Sequence, residues 1–444
     1  MASKCYLPPE VVPWIAQLAQ PLHARLAGRL LTFFVGMLFA CGRRTVASWL
    51  RGAEVGEAYR PHYYFLGSLG RKSKWVAVRL LRLALTVVGG GDRLLFALDD
   101  SPTKRQGPLV EGAGIHHNPT PGPAEQKFLY GHVWVSLAWV VRHSLWGTIG
   151  LPLLALLYVR RKDIAKLPPW YKVPFETKLE MAAELILWLA LWLGCLDKKI
   201  WVVADGAYAK RPVFRAACEA KVTLVTRLRK DARLWSLPKP TPPGRRGRKP
   251  KYGKEKISLA KRAAHRLGWQ TGTFVLYNKT VTKTYKTFLA TYKPAGGLLR
   301  VVLVKEDNGD WRAYACSDSE ATVTEILEAV ADRSAIEQVY HDVKEVHGAG
   351  EQQVRHYWAN VAVYNLTLWW HTLVELWAWN KPHEDICDRS DSPWDDASRR
   401  PSHADRHNAL RRHSLQDEIR ALPTAATITR QFVNLLRRLV KLAG

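Results

Sequence analysis

Four residues with chemical potential recur at helical spacing in the stretch D-R-S-A-I-E-Q-V-Y-H-D-V-K, residues 332–344. The pattern predicts a helix from Asp332 to His347, with Ile336, Val339, Val343 and Val346 on one face. Arg333, Glu337, Tyr340 and Lys344 then share a neighbouring face, and Gly348 and Gly350 supply the stop. One carboxylate is thereby held between two permanent cations. Alone, this is an amphipathic helix with ordinary ion pairs one turn apart. Two upstream stretches change its meaning. R-L-L-F-A-L-D-D (93–100) is a short apolar strand closed by Asp99 and Asp100, and K-I-W-V-V-A-D-G (199–206) is another closed by Asp205. Ligands gather at the carboxyl ends of strands in open α/β sheets. If these two strands are neighbours, their carboxylates converge and Glu337 completes a cluster from a following helix.

Three carboxylates without Cys or His describe a site for a hard cation, Mg²⁺ or Mn²⁺, with room left for water and phosphate. Two such ions ~4 Å apart activate a water or a 3′-hydroxyl and stabilise the leaving oxygen of a phosphodiester. Arg333 offers phosphate a planar fork and Lys344 a movable point charge. Each aspartate by itself reads equally well as a turn or helix cap. Their joint placement in a basic chain carries the metal reading.

The elements that must position these residues follow from the pattern. Residues 1–90 read as helices, among them a helix-turn-helix-like segment at 42–52 and a basic amphipathic helix at 72–85, together a helical DNA-binding domain. Strands are expected at 93–100, 131–141, 145–159, 199–206 and 222–229, with helices at 176–196 and 212–220. The order β-β-β-α-β-α-β implies an α/β sheet covered by helices. Residues 239–256 hold eight Lys/Arg against one Glu among prolines and glycines, a basic arm that offers Arg245, Arg246, Arg248 and Lys249 to phosphates. Residues 265–318 read as a small antiparallel β unit, with hairpin turns at Gly296-Gly297 and Asn308-Gly309. The polar stretch 384–406 reads as a linker and the tail as a basic amphipathic helix. His116-His117 is read as solvated loop and Tyr208 as packing. Five segments result: 1–90, 91–230, 231–318, 319–380 and 381–444, the second and fourth forming the catalytic core.

Composition narrows the partners. A formal net charge of +27 over 444 residues exceeds what solubility asks of small domains, about 2–8 in magnitude, and implies a polyanion. Nucleic acid comes first and an anionic membrane second. The apolar runs 30–41, 181–196 and 358–379 are too short or too interrupted to span a bilayer, so they read as buried helices. Six scattered cysteines without a C-x-x-C pair fit a reducing compartment and argue against structural zinc. No signal-peptide pattern opens the chain, and the expected location is cytoplasmic, on the nucleoid.

With these residues in place, the chain resembles the DDE transposases of bacterial insertion sequences. The likeness is to the large cut-and-paste group with a β-strand insertion in an RNase H-like core. The group's third motif reads Y-x2-R-x3-E-x6-K, and Arg333, Glu337 and Lys344 match its spacing. Its D-D-T followed by K and G is similar to D-D-S-P-T-K-R-Q-G (99–107), and its V-x-D-x-x-Y to V-V-A-D-G-A-Y (202–208). R-G-R-K-P (246–250) resembles a basic segment found after the second aspartate. Val330 stands at the motif's tyrosine, whose contribution is then missing or comes from elsewhere, with Tyr340 the candidate; Ser101 replaces the threonine. The D-x-T alignment favours Asp99 as ligand, and Asp100 faces the other side of an extended strand.

The resemblance implies an α/β, RNase H-like mixed sheet flanked by helices, with an inserted antiparallel β unit and an N-terminal helical domain. It implies Asp99, Asp205 and Glu337 as catalytic metal ligands. It further implies Mg²⁺-dependent hydrolysis and strand transfer on double-stranded DNA by a homodimer or higher synaptic complex. The rivals are a nuclease of the same fold without strand transfer and a non-catalytic DNA-binding protein derived from a transposase.

Overall fold

Leu94–Leu98 is apolar on both faces of an extended chain, so it is stable only as a central strand covered on both sides. In the computed structural model, which describes residues 7–118, 127–239, 250–389, 394–396, 398–422 and 430–443, it forms the middle of β1 (Arg93–Lys104). β2 (Gly114–His117), β3 (Phe128–His143) and β4 (Gly147–Tyr158) follow as an antiparallel set, with β1 and β4 flanking β3. β5 (Lys199–Ala204) lies parallel to β1, and β6 (Thr223–Leu228) parallel to β5. The order β4-β3-β1-β5-β6, one antiparallel meander followed by two parallel crossovers, is RNase H-like.

The sequence placed both aspartates at the end of the first strand. Instead β1 runs on through them to Lys104, because β3 is long enough to pair with it from Leu95 to Lys104. Against its parallel neighbour β5, however, pairing stops at Leu98 opposite Ala204.

The expected antiparallel unit is present as β9 (Gln270–Leu276), β10 (Lys279–Tyr292), β11 (Gly297–Lys305) and β12 (Trp311–Cys316). It is not a separate body. β12 pairs with β6, and the short β7 (Leu234–Trp235) and β8 (Lys256–Ile257) extend the far side, making one 12-stranded sheet. Docking there covers the open edge that β6 would otherwise present. The arm residues Arg245, Arg246, Arg248 and Lys249 lie outside the described residues.

Helices cover both faces. On one lie α1 (Val11–Ala19), α2 (Ala24–Phe39), α3 (Val46–Gly52), α4 (Arg60–Arg71) and α5 (Ser73–Val88), sharing a continuous apolar core with the sheet. α3 is the one helix within the expected helix-turn-helix-like segment 42–52, and Thr45 caps it by accepting from the Ser48 N–H. α6 (Arg161–Ile164) is short, whereas α7 (Lys178–Leu193) and α8 (Arg211–Glu219) join the same face, and α9 (Leu259–Ala264) precedes β9. α10 (Val323–Asp332) and α11 (Ser334–Glu345) cover the opposite face. The single helix read from 332 to 347 is thus two, meeting at Arg333, which closes α10 and opens α11; Val346 caps the end.

α12 (Tyr357–Ala378) is apolar all round and buried along nearly its whole length, with α4, α5 and β4 packed around it. α4 crosses it closely enough that a Cβ on Gly70 would sit 1.9 Å from the Trp358 carbonyl oxygen. No helix among the described residues is long and apolar enough to cross a membrane.

The stretch 384–406 is not simply a linker. After α13 (His383–Ile386), a capping box of Ser402 and Asp405 opens α14 (His403–Arg420), and His403, Arg406 and His407 are buried. The polarity of His403 and Arg406 is matched by buried Glu375 on α12, which composition alone does not reveal. α15 (Arg430–Ala443) ends the described chain. His116 also departs from a solvated loop: it lies on β2, buried, with its ring edge-on to Tyr158.

One buried contact fixes the loop after α11 against β1. Arg105 donates through Nε to His132 Nδ1 at 3.1 Å and through Nη1 to the carbonyls of Gly350, at 3.1 Å, and Gln352. His132 Nε2 lies 3.1 Å from the Glu111 carbonyl, so the ring is neutral with its proton on Nε2. Burial, with Arg105 adding, pushes the His132 pKa down to about 3. The unfolded chain takes up this proton near pH 6.5 and the folded chain does not, so stability falls as pH drops below that value. Between pH 7.5 and 5 this histidine costs about 2 kcal/mol. Urea denaturation at the two pH values should show that extra loss in wild type relative to His132→Gln. Equal losses would remove His132 from the acid response.

Candidate active site

Strand alternation decides which carboxylates meet. Leu95, Ala97, Trp201 and Val203 face α10 and α11, so Asp99 and Asp205, next in phase, emerge on that face at the carboxyl ends of adjacent parallel strands. Phe96 and Leu98 face the other core, and Asp100 follows them. Its carboxylate accepts from Lys178 Nζ at 2.6 Å and from the Tyr208 hydroxyl at 2.8 Å. The two neighbouring aspartates therefore have different company: Asp99 looks to α11, Asp100 to α7 and the turn after Asp205. Tyr208 is packed, as read, but it also donates this bond.

Arg333 joins the first aspartate to the helix. Its Nη1 donates to Asp99 Oδ2 and its Nη2 to Glu337 Oε1, both at 2.6 Å. A residue at the helix junction can reach forward to the next turn and across to β1 at once. The Tyr340 hydroxyl donates to the Asp99 carbonyl at 2.8 Å, pinning the strand rather than reaching the carboxylate. Thr226 Oγ1 likewise holds the Asp205 carbonyl at 3.1 Å. Burial pushes the Asp99 carboxyl up to about 6; Arg333 opposes the shift, while Asp100 and Asp205 add to it. Asp205 is thus close enough to influence both Asp99 and Arg333. Glu337 is the accessible member, its side chain 58% exposed.

This donor set suits a hard divalent cation. It consists of carboxylate oxygens without thiolate or imidazole, and a guanidinium already bridges two of them. Asp99, Asp205 and Glu337 have the oxygen chemistry of a divalent-cation site, although Arg333 rather than an ion joins Asp99 and Glu337 here.

Lys344, two turns beyond Glu337, lines a cleft with Arg43, Lys104, Arg105 and Arg355, beside the last residues of β1. Sequence reading did not single out Arg43, Lys104, Arg105 and Arg355, which line this cleft, or Lys178, which pairs with Asp100. Lys104 and Arg105 stood within the D-D-S-P-T-K-R-Q-G stretch, and Arg43 opened the helix-turn-helix-like segment, so a signal existed for three of them.

A family profile described as DDE superfamily endonuclease matches residues 17–273, more than half of the chain. The chain belongs to the DDE superfamily. A second profile, transposase DDE domain, matches residues 178–369. Among curated proteins no sequence matches. Among solved structures, the cryo-EM structure of a piggyBac transposase synaptic complex with hairpin DNA aligns over 97% of this chain and 84% of that one, with 9% identity and a TM-score of 0.41.

Within this DDE endonuclease, the Asp100–Tyr208 bond ties the residue after Asp99 to the turn after Asp205. The tie links the two strand ends behind the two aspartates. Tyr208→Phe keeps the packing and removes the bond; since Asp100 is not itself a proposed ligand, the effect belongs at the low end of the roughly 10–100-fold known for groups bonded directly to metal ligands. DNA cleavage should fall about tenfold, with a higher Mg²⁺ requirement and unchanged DNA binding. A wild-type rate and Mg²⁺ midpoint would mean the tie does not set the site.

Proposed function

We propose that this DDE protein is a DNA transposase that hydrolyses the ends of its own mobile element and joins the freed 3′-hydroxyls to target DNA. The observation that carries the reading is the convergence of Asp99 and Asp205 on one face of adjacent parallel strands, with Glu337 linked to Asp99 through Arg333. In this reading the three carboxylates hold Mg²⁺ or Mn²⁺. The bound ions supply an activated water or 3′-hydroxyl and stabilisation of the leaving oxygen. Asp99, its carboxyl pKa raised to about 6, is ionised at neutral pH and held by Arg333 until a ligand takes that place. Arg333 releases its carboxylates and turns its fork to a phosphate beside the scissile bond. Tyr340 keeps β1 fixed while this happens. Lys344, Arg43, Lys104 and Arg355 line the adjoining cleft, where they order the flanking phosphates.

The net charge of +27 supports a DNA partner. On this reading residues 1–90 and the basic arm hold DNA, 91–230 and 319–380 form the catalytic core, and 231–318 and 381–444 flank it. The working form is a homodimer or higher synaptic assembly on paired ends of an insertion sequence, acting on the nucleoid in the cytoplasm.

The test incubates the full chain with DNA carrying the sequences that flank its gene, a supercoiled target and Mg²⁺. Nicked ends ending in 3′-hydroxyls, followed by products joined to the target, are expected. Nicking without joined products would make it a nuclease of the same fold. Binding without nicking would make it a non-catalytic derivative.

A further inference from the structure

The C-terminal part of the chain is fastened by a polar cluster that the reaction above does not use. α12 presents His371 and, one turn on, Glu375, and α14 brings His403 as its first residue. One ligand atom from each lies within 4.8 Å of the others. The three residues are only 3%, 1% and 2% exposed. Neither ring nitrogen of His371 has a hydrogen-bond partner; its Nε2 is 3.6 Å from Asp342 Oδ2, too far for a hydrogen bond. A buried imidazole whose nearest carboxylate oxygen is 3.6 Å away is under-satisfied, and such a group calls for an explanation.

The surroundings are those of a built site. Glu375 Oε1 is 2.6 Å from His403 Nδ1, and Oε2 is 2.8 Å from Arg406 Nε. His403 Nε2 is 2.7 Å from His347 Nε2, an outer partner of the kind that fixes a metal-bound imidazole. Asp342 adds a second carboxylate from α11. One cleft is lined by Glu337 and Asp342 and also by His371, Glu375 and His403.

We propose that His371, Glu375 and His403 form a second metal site, distinct from the Asp99–Asp205–Glu337 group, which takes Zn²⁺ and pins α14 to α12. Two imidazoles and a carboxylate suit Zn²⁺, whereas Mg²⁺ prefers oxygen alone. Asp342 Oδ2, 3.6 Å from His371 Nε2, lies beside the three ligands but outside their group. Binding replaces the hydrogen bond between His403 Nδ1 and Glu375 Oε1 with a shared ion. It also turns the His371 ring, which stacks on His403 at 3.9 Å, until a nitrogen points inward. A site this deeply buried between two helices is structural, so its loss acts on folding before it acts on DNA.

The test measures Zn²⁺ on the full chain, dialysed against trace Zn²⁺, in wild type and in a variant carrying Asp99→Asn, Asp205→Asn and Glu337→Gln. About one Zn²⁺ per chain is expected in both, falling at least about a hundredfold in affinity in His371→Ala and in His403→Ala. Co²⁺ in place of Zn²⁺ should give the visible absorption of a low-coordinate site with nitrogen ligands. A Zn²⁺ chelator should lower the melting temperature of wild type, a reading that requires no variant to fold. Zn²⁺ absent from wild type, lost with the carboxylate variant, or retained by both histidine variants would overturn the proposal. Because the carboxylate variant is cleavage-dead under the proposed function, its metal content separates failure of this site from failure of that reading.

Discussion

Replacing Asp205 with Asn is expected to reduce Mg²⁺-dependent cleavage by at least about a hundredfold, since loss of a ligand costs no less than loss of its outer partners. DNA binding should stay near wild type. Asn has the same shape, and the bond that holds this turn runs from Thr226 Oγ1 to the backbone carbonyl of residue 205, so the substitution leaves it in place. What changes is one negative charge at the carboxyl end of β5, abreast of Asp99. Asp99→Asn should be as damaging, for it also weakens the Arg333 bond. Asp100→Asn should be milder, because that side chain faces Lys178 and Tyr208 on the other side of the sheet. Single-turnover cleavage and gel-shift binding on the same DNA separate these outcomes. Near-wild-type cleavage by Asp205→Asn would remove the carboxylate mechanism.

The ordering of the three variants also marks what could be read from the chain. Apolar runs ending in Asp were visible, as was the α/β order, because burial on both faces leaves a continuous apolar signature. The choice between Asp99 and Asp100 rests on register against β5 and on what covers each face, and no local pattern carries either. The pair Arg333 and Glu337 was legible at one turn's spacing; the third member, Asp99, is 234 residues away. The β insertion was legible as strands and turns, but its fusion to β6 depends on an edge that exists only after the sheet has formed. The His371–Glu375–His403 cluster stayed hidden for a different reason. Two of its members interrupt an apolar helix and the third stands in a stretch whose polarity imitates a linker. Polar residues paired with one another while buried look, in sequence, like polar residues facing water.

Arg333 supplies the second large effect. In the free protein its fork neutralises Asp99 and Glu337 together, so an entering metal must displace it from both. Arg333→Met should therefore lower the stability of the metal-free protein and raise its gain from Mg²⁺. A hydrogen bond to a charged group is worth about 1.5–3 kcal/mol, but exposed Glu337 contributes little of this, which leaves about 2 kcal/mol for the loss. The gain follows from linkage: an ion that binds only the folded chain stabilises it more when its dissociation constant is lower, and removing the competitor lowers it. Arg333→Lys should fall between, since one ammonium cannot span two carboxylates that a planar fork reaches simultaneously. Lys344→Arg, placed in the cleft two turns on, should change the Mg²⁺ response in neither direction. Cleavage should drop in both Arg333 variants despite the tighter metal, because the fork is also the proposed phosphate clamp. Melting curves with and without Mg²⁺, beside single-turnover rates, test both halves. A wild-type Mg²⁺ shift in Arg333→Met would show that the guanidinium does not compete with metal, and unimpaired cleavage in Arg333→Lys would end the clamp.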